Sequence, residues 1–206
     1  MRLLVERDHR PWAQLVAKRM PQGCSAPVIV ELAAGPGFLL LELGALVPGA
    51  SLIAVDDAAA MIGIQAEEAR SAGRELRSVC APAQATGLPG ASADVVLCKN
   101  LLNCIEAQAV RQAVVHEACR LLRPGGLAAF IDFDDAGPSV IASALTAYIR
   151  FRAGRQFAQD FADAWKRRLD ARALLRTVQR AGLQDTWYHR RMVTFLIEGR
   201  APDAEA

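Results

Sequence analysis

Alternation is the feature that most constrains this chain. Short apolar, β-branched runs fall at 28–32, 51–55, 76–80, 94–98 and 127–133. Longer stretches with helical periodicity separate them, at about 38–47, 58–72 and 107–123. Strands alternating with helices predict βαβ units and a mostly parallel sheet. The runs are apolar almost throughout, as strands covered on both faces must be. In the third stretch Val110, Val114, Ala118 and Leu121 share one helical face, and Arg123-Pro124-Gly125-Gly126 ends it.

The rhythm changes after Phe133. Asp134-Asp135-Ala136-Gly137-Pro138 reads as a loop, followed by two helices at 139–152 and 156–169 with no strand between them. A third helix spans 171–181, and 184–191 with 193–198 reads as a closing antiparallel hairpin. The expectation is one α/β domain over 1–206. It comprises an N-terminal helix at 1–20 carrying Trp12, Leu15, Val16 and Arg19, a core at 26–135, a helical cap at 138–170, and completion of the sheet at 171–200.

With 206 residues, the chain can bury roughly two-thirds of its unfolded surface. The apolar stretch 26–55 is interrupted by Glu31, Pro36, Glu42 and Pro48, so it reads as strand, helix and strand, not as a membrane span. Glu6, Arg7, Asp8, His9 and Arg10 stand where a secretory signal would be apolar. The five cysteines (Cys24, Cys80, Cys98, Cys104 and Cys119) are odd in number and have no C-x-x-C spacing. They predict buried thiols in a reducing cytoplasm and no metal site. Charge is uneven: residues 1–138 carry a formal −3, residues 139–200 carry +7, and Asp203 with Glu205 returns −2. The basic third suits either solvated amphipathic helices or an anionic substrate, membrane surface or nucleic acid.

The chemistry concentrates after the first strand, in Glu31-Leu32-Ala33-Ala34-Gly35-Pro36-Gly37. Small residues at a strand–helix turn let backbone lie against a ligand beyond the strand's carboxyl end. A dinucleotide turn would place Gly or Ala at the third fingerprint position, where Leu40 stands, and no G-K-[ST] follows as a phosphate loop requires. Glu31 would repel a pyrophosphate and attract a cation. Asp56 ends the second strand about twenty residues on, where a ribose needs an acceptor, and it suits a helix N-cap equally.

These residues resemble the class I S-adenosylmethionine-dependent methyltransferases of the small-molecule type. The first stretch is similar to their E/D-x-G-x-G-x-G motif, with Ala33 in place of the first glycine. Asp56 followed by Met61 resembles their ribose acid and adenine-flanking apolar residue. The segment 84–100, QATGLPGASADVVLCKN, and Glu117-x-x-Arg120-Leu-Leu-Arg-Pro-Gly-Gly126 resemble two further motifs of the family, in order.

The resemblance implies a Rossmann-like methyltransferase fold: a seven-stranded, mostly parallel sheet with a C-terminal antiparallel hairpin and helices on both faces. It implies S-adenosyl-L-methionine as cofactor. Glu31, Ala33, Gly35 and Gly37 would lie at its methionine end and Asp56 at the ribose. Asp57, Met61, Gln84 and Ala85 would flank the adenine, and Lys99 would contact the cofactor through backbone. Gln84 stands where the family often has Asp, and its carbonyl oxygen can still accept the adenine's amino hydrogen. Alanine at position 33 is a minor change provided its backbone angles are ordinary.

The acceptor side is less defined. Asn100, Asn103 and Glu106 follow the fourth strand, and Asp132, Asp134 and Asp135 end the fifth. Tyr148, Arg150, Arg152 and Arg155 lie in the cap and could read a phosphate or carboxylate. Of these, Asn100, Asn103, Asp132 and Tyr148 are the catalytic candidates. His189, with Trp187 and Tyr188, reads as strand packing, and His116 as structural. The expected partner is a small molecule, anionic or lipid-like. A nucleic-acid methyltransferase using the basic third, or a binding protein that retains the cofactor without chemistry, are the alternatives. No N-P-P-Y type motif follows the fourth strand to favour nucleic acid.

Overall fold

The computed structural model describes residues 2–21 and 23–203, with residues 2–8 as backbone only. Met1, the side chains of Glu6, Arg7 and Asp8, and Glu205 of the acidic tail lie outside the described residues. In chain order the elements are α1 (Arg2–Arg19), β1 (Val28–Leu32), α2 (Phe38–Leu46), β2 (Ser51–Asp56), α3 (Ala59–Ser71), β3 (Arg77–Cys80) and β4 (Ala93–Lys99), then a 3-10 turn at Leu102–Cys104. There follow α4 (Gln108–Leu121), β5 (Leu122–Phe133), α5 (Ser139–Ala153), α6 (Arg155–Lys166), α7 (Ala171–Arg180), β6 (Gln184–Arg191) and β7 (Thr194–Arg200).

The seven strands form one sheet in the order β3-β2-β1-β4-β5-β7-β6. Pairing is parallel from β3 through β5, and β7 runs antiparallel to both β5 and β6. The order reverses between β1 and β4, so this is a Rossmann-like sheet with a switch point beyond the carboxyl ends of those two strands.

Side-chain alternation sorts the core into two layers. Val30, Leu32, Val96, Cys98 and Phe130 face α4 and α7, meeting Val114, Ala118, Leu121, Leu174 and Val178. Ile29, Val95, Leu97 and Ala129 face the other way, onto Trp12 and Val16 of α1 and Leu39, Leu40 and Leu43 of α2. Leu40 therefore serves the core. A third, smaller cluster seats α5 and α6 on the end of β5, through Phe133, Ala142, Phe161 and Trp165.

Three expectations need correction. The Arg-Pro-Gly-Gly turn is an irregularity inside β5, not a break before it. Leu122 already pairs with Ala93, and regular register resumes at Val95 and Leu127. Pro124 cannot donate to the ladder and Gly125 takes φ +71°, so the extra residues bulge out. The cysteines are all free, but Cys24, Cys80 and Cys104 are exposed and only Cys98 is fully buried. His116 faces solvent on α4. Among the described residues no helix is long and apolar enough to cross a membrane, and no group of acidic, His or Cys side chains could hold a metal.

Candidate active site

A cavity of about 600 Å³ opens at the carboxyl ends of β1, β4 and β5. Its floor is the Ala33–Pro36 turn with Glu31, Lys99 and Asn100. Its roof comes from His9 and Trp12 of α1, from Leu145, Tyr148 and Ile149 of α5, and from Phe157 and Phe161 of α6. The turn between β6 and β7 closes one side with Arg191–Thr194.

The turn is built from left-handed backbone. Ala33, Gly35 and Gly37 have φ of +52°, +52° and +81°. Ala33 is thus not in ordinary backbone, and alanine there costs roughly 1 kcal/mol against glycine. A Cβ built on Gly35 would meet no protein atom within 4 Å, so the space above it is open. Gly37 lies outside the cavity and starts α2, its amide donating to the Ala34 carbonyl at 2.8 Å. The Asp56 carboxylate braces the turn from β2. It accepts from the Gly35 amide at 2.8 Å and from the Ala58 amide at 3.0 Å. Two amides leave lone pairs of this carboxylate available to further donors.

Glu31 is 4% exposed and its carboxylate accepts one backbone amide, from Leu40 at 3.1 Å. Burial raises its pKa from 4.5 to about 8, against the opposing pull of Lys99. A carboxyl held mostly neutral at the edge of a cavity is a place where a cationic ligand group gains most, because its approach favours the charged form. The open face over Gly35 and this buried acid fit the ammonium and sulfonium end of the cofactor that the motifs imply.

Asp57, Gln84 and Ala85 are exposed, and Met61 is half-buried. With Asp56 they form a shelf outside the cavity, where pairing of Asp56 with Cys80 brings the ends of β2 and β3 together. The Ala81 amide donates to the Asp56 carbonyl at 3.1 Å. The shelf is anchored from α4. Buried Glu117 accepts from the Thr86 amide at 2.9 Å and its hydroxyl at 2.5 Å, and Arg120 donates to Glu117 at 2.7 Å and to the Leu88 carbonyl at 2.8 Å. The Arg120 guanidinium holds the Glu117 carboxyl down at about 2. The E-x-x-R motif is therefore a strut, and it lies far along the chain from the loop it fixes.

On the acceptor side the candidates separate. Asn100 (φ +55°), Asn103 and Tyr148 line the cavity. Asp132 does not line it. Its oxygens accept the Asn103 amide at 3.0 Å and the Phe133 amide at 2.8 Å, and burial raises its pKa to about 6. It positions the 3-10 turn that presents Asn103. Asp134 is spent on the Tyr188 hydroxyl at 2.7 Å and the Ala136 amide at 3.0 Å. His189 stacks on Trp187 with centroids 5.3 Å apart and meets Trp12 edge-on. Arg150, Arg152 and Arg155 are exposed outside the cavity; Arg191 lines it.

Sequence reasoning missed the aromatic roof: Trp12, Phe157 and Phe161, with Phe133 beneath. Helical periodicity marks a residue as facing inward and does not tell a packed interior from a cavity wall.

Residues 29–126 match the model of a family described as "Methyltransferase domain". An O-methyltransferase family protein from Burkholderia thailandensis shares the fold at TM-score 0.71 and 19% identity, over 97% of this chain and 58% of that one. SAM-dependent methyltransferases from Methanosarcina mazei and Aquifex aeolicus align with TM-scores of 0.68 and 0.67, each at 14% identity. The first alignment covers 92% of this chain and 98% of the other, the second 91% and 88%. Among curated proteins none matches the sequence. With the sheet order, the left-handed turn beside a buried acid and the family match all on one chain, this protein carries a methyltransferase domain in the Rossmann-like fold of S-adenosylmethionine-dependent methyltransferases.

Proposed function

We propose that the chain transfers a methyl group to a small, largely apolar acceptor held under the α5–α6 cap. The observation that carries this reading is the continuity of the cavity, which runs from Glu31 and the Ala33–Pro36 turn to the aromatic roof of Tyr148, Phe157 and Phe161. One end suits a cation and the other an apolar ring or chain.

When bound, S-adenosyl-L-methionine supplies a methyl carbon already activated by its sulfonium, open to in-line displacement. In this reading Glu31, Ala33 and Gly35 hold its methionine end, Gly37 shapes the turn behind them, Asp56 accepts from the ribose, and Lys99 contributes backbone. Asp57, Met61, Gln84 and Ala85 flank the adenine on the outer shelf. The roof excludes water, and Asn100, Asn103 and Tyr148 orient the acceptor. Orientation and desolvation of this kind supply much of the rate of such a displacement. Asp132 acts only through Asn103.

The concave, roofed cavity of about 600 Å³ supports a small molecule over nucleic acid. The test is calorimetric titration with S-adenosylhomocysteine, then a panel of phenols, quinols, amines and thiols assayed for its release. Saturable binding and turnover on apolar acceptors are expected. Turnover confined to RNA or DNA would refute the reading, and binding without any turnover would make the chain a cofactor-binding protein.

A further inference from the structure

The outer surface of α5 inverts the usual helix pattern. Val140, Ala144, Ala147 and Phe151 recur at helical spacing along one face, and all are exposed: Val140 is 74% and Phe151 85% accessible. Arg150 lies on one side of this stripe and Arg152 on the other, both exposed, with exposed Arg155 beyond the helix end. Residues 139–159 contain these three arginines and no acidic residue. A solvated helix would place polar groups where Val140 and Phe151 stand. Instead it presents an apolar ridge with cationic shoulders, within residues 139–200, which carry a formal +7.

We propose that this ridge docks the protein on an anionic lipid bilayer surface. The apolar side chains would sink into the boundary between headgroups and acyl chains, and Arg150, Arg152 and Arg155 would meet the lipid phosphates. Charge complementarity selects this occupant over a second copy of the chain, because Ser139–Ala153 offers no carboxylate to another copy's arginines. The docked orientation has a use. The opposite face of α5 lines the cavity with Leu145 and Ile149, and half-exposed Tyr148 stands at the mouth between the two faces. An acceptor dissolved in the outer part of the bilayer would therefore enter past Tyr148. This last step rests on the methyl-transfer reading, whereas the docking does not.

The test is flotation of the full chain, without cofactor, on vesicles of phosphatidylcholine alone and of phosphatidylcholine with about a third phosphatidylglycerol. Binding is expected on the anionic vesicles, at least tenfold weaker on the neutral ones, and reduced by salt. Phe151→Asp should lower partitioning at least tenfold. The pair Arg150→Ala and Arg152→Ala should lower it about thirtyfold, at roughly 1 kcal/mol per arginine. The pair Arg176→Ala and Arg180→Ala on α7 removes the same charge away from the ridge and should leave it within about twofold. Melting temperature and S-adenosylhomocysteine binding of Phe151→Asp should match wild type, which separates this result from failure of the cofactor site. No vesicle binding, equal binding to neutral vesicles, equal loss in the α7 pair, or a dimer in sedimentation that Phe151→Asp dissolves would each overturn the proposal.

Discussion

Replacing Glu31 by Gln tests the electrostatic logic of the cofactor turn. Without ligand, burial holds this carboxyl up at about 8. If the cationic end of the ligand binds only the ionised form, affinity must fall tenfold per pH unit below that value. Between pH 7.5 and pH 6, a range that keeps the ligand's own ammonium charged, the wild-type dissociation constant should rise about twentyfold. Glu31→Gln should bind more weakly at pH 7.5 and show a nearly flat profile.

Stability carries the opposite sign. The folded carboxyl titrates above its unfolded value of 4.5, so the folded state retains a proton that the unfolded chain releases. Its contribution is complete below pH 4.5 and is lost as pH rises to about 8, by on the order of 4 kcal/mol. Asp132 and Glu198, also raised by burial, act in the same direction, so the comparison with Glu31→Gln isolates the one group. The ligand-free variant should therefore melt above wild type at pH 8 and close to it at pH 5. Calorimetry across pH, with and without S-adenosylhomocysteine, measures both effects. A pH-independent wild-type affinity, or the same slope in Glu31→Gln, would refute the reasoning.

Two further perturbations address the scaffold. Ala33→Gly relieves a left-handed alanine and should raise the melting temperature by about 2–4 °C. Gly35→Ala adds a methyl group to open space, so it should fold with at most about 2 kcal/mol lost and yet abolish the ligand-induced shift, as thermal melts will show. Glu117→Ala leaves the Thr86 amide and hydroxyl without their buried acceptor. It should destabilise by about 2–3 kcal/mol in urea unfolding and weaken cofactor binding through the loosened 81–86 loop.

The parts of this molecule written as spacing were legible in the sequence. The strand–helix alternation, the Asp56 distance from the turn and the order of the motifs follow from chain geometry that any member of the fold must obey, and the closing hairpin of 184–191 with 193–198 was readable as two short runs after the last helix. What depended on side-chain company was not. Asp132 and Asn103 look alike as polar residues after a strand, but one is consumed by two amides and the other meets the cavity. The role of Glu117 depends on Thr86, 31 residues away. The left-handed angle at Ala33 cannot be seen in a residue type that rarely adopts it. The aromatic roof depends on how α5 and α6 cross the end of the sheet.

The antiparallel strand β7 also sets an order on synthesis. Arg19 at the end of α1 pairs with buried Glu198 on β7, and Arg200 donates to the Arg19 carbonyl at 2.6 Å, across 181 residues of chain. The helix that brings His9 and Trp12 over the cavity is thus latched by the strand of this sheet that is synthesised last. A nascent chain lacking β7 holds α1 by its apolar packing, without the two Arg–β7 contacts, so that part of the roof reaches its full set of anchors only after β7 has been made. Cofactor captured earlier would be held by the turn and shelf alone.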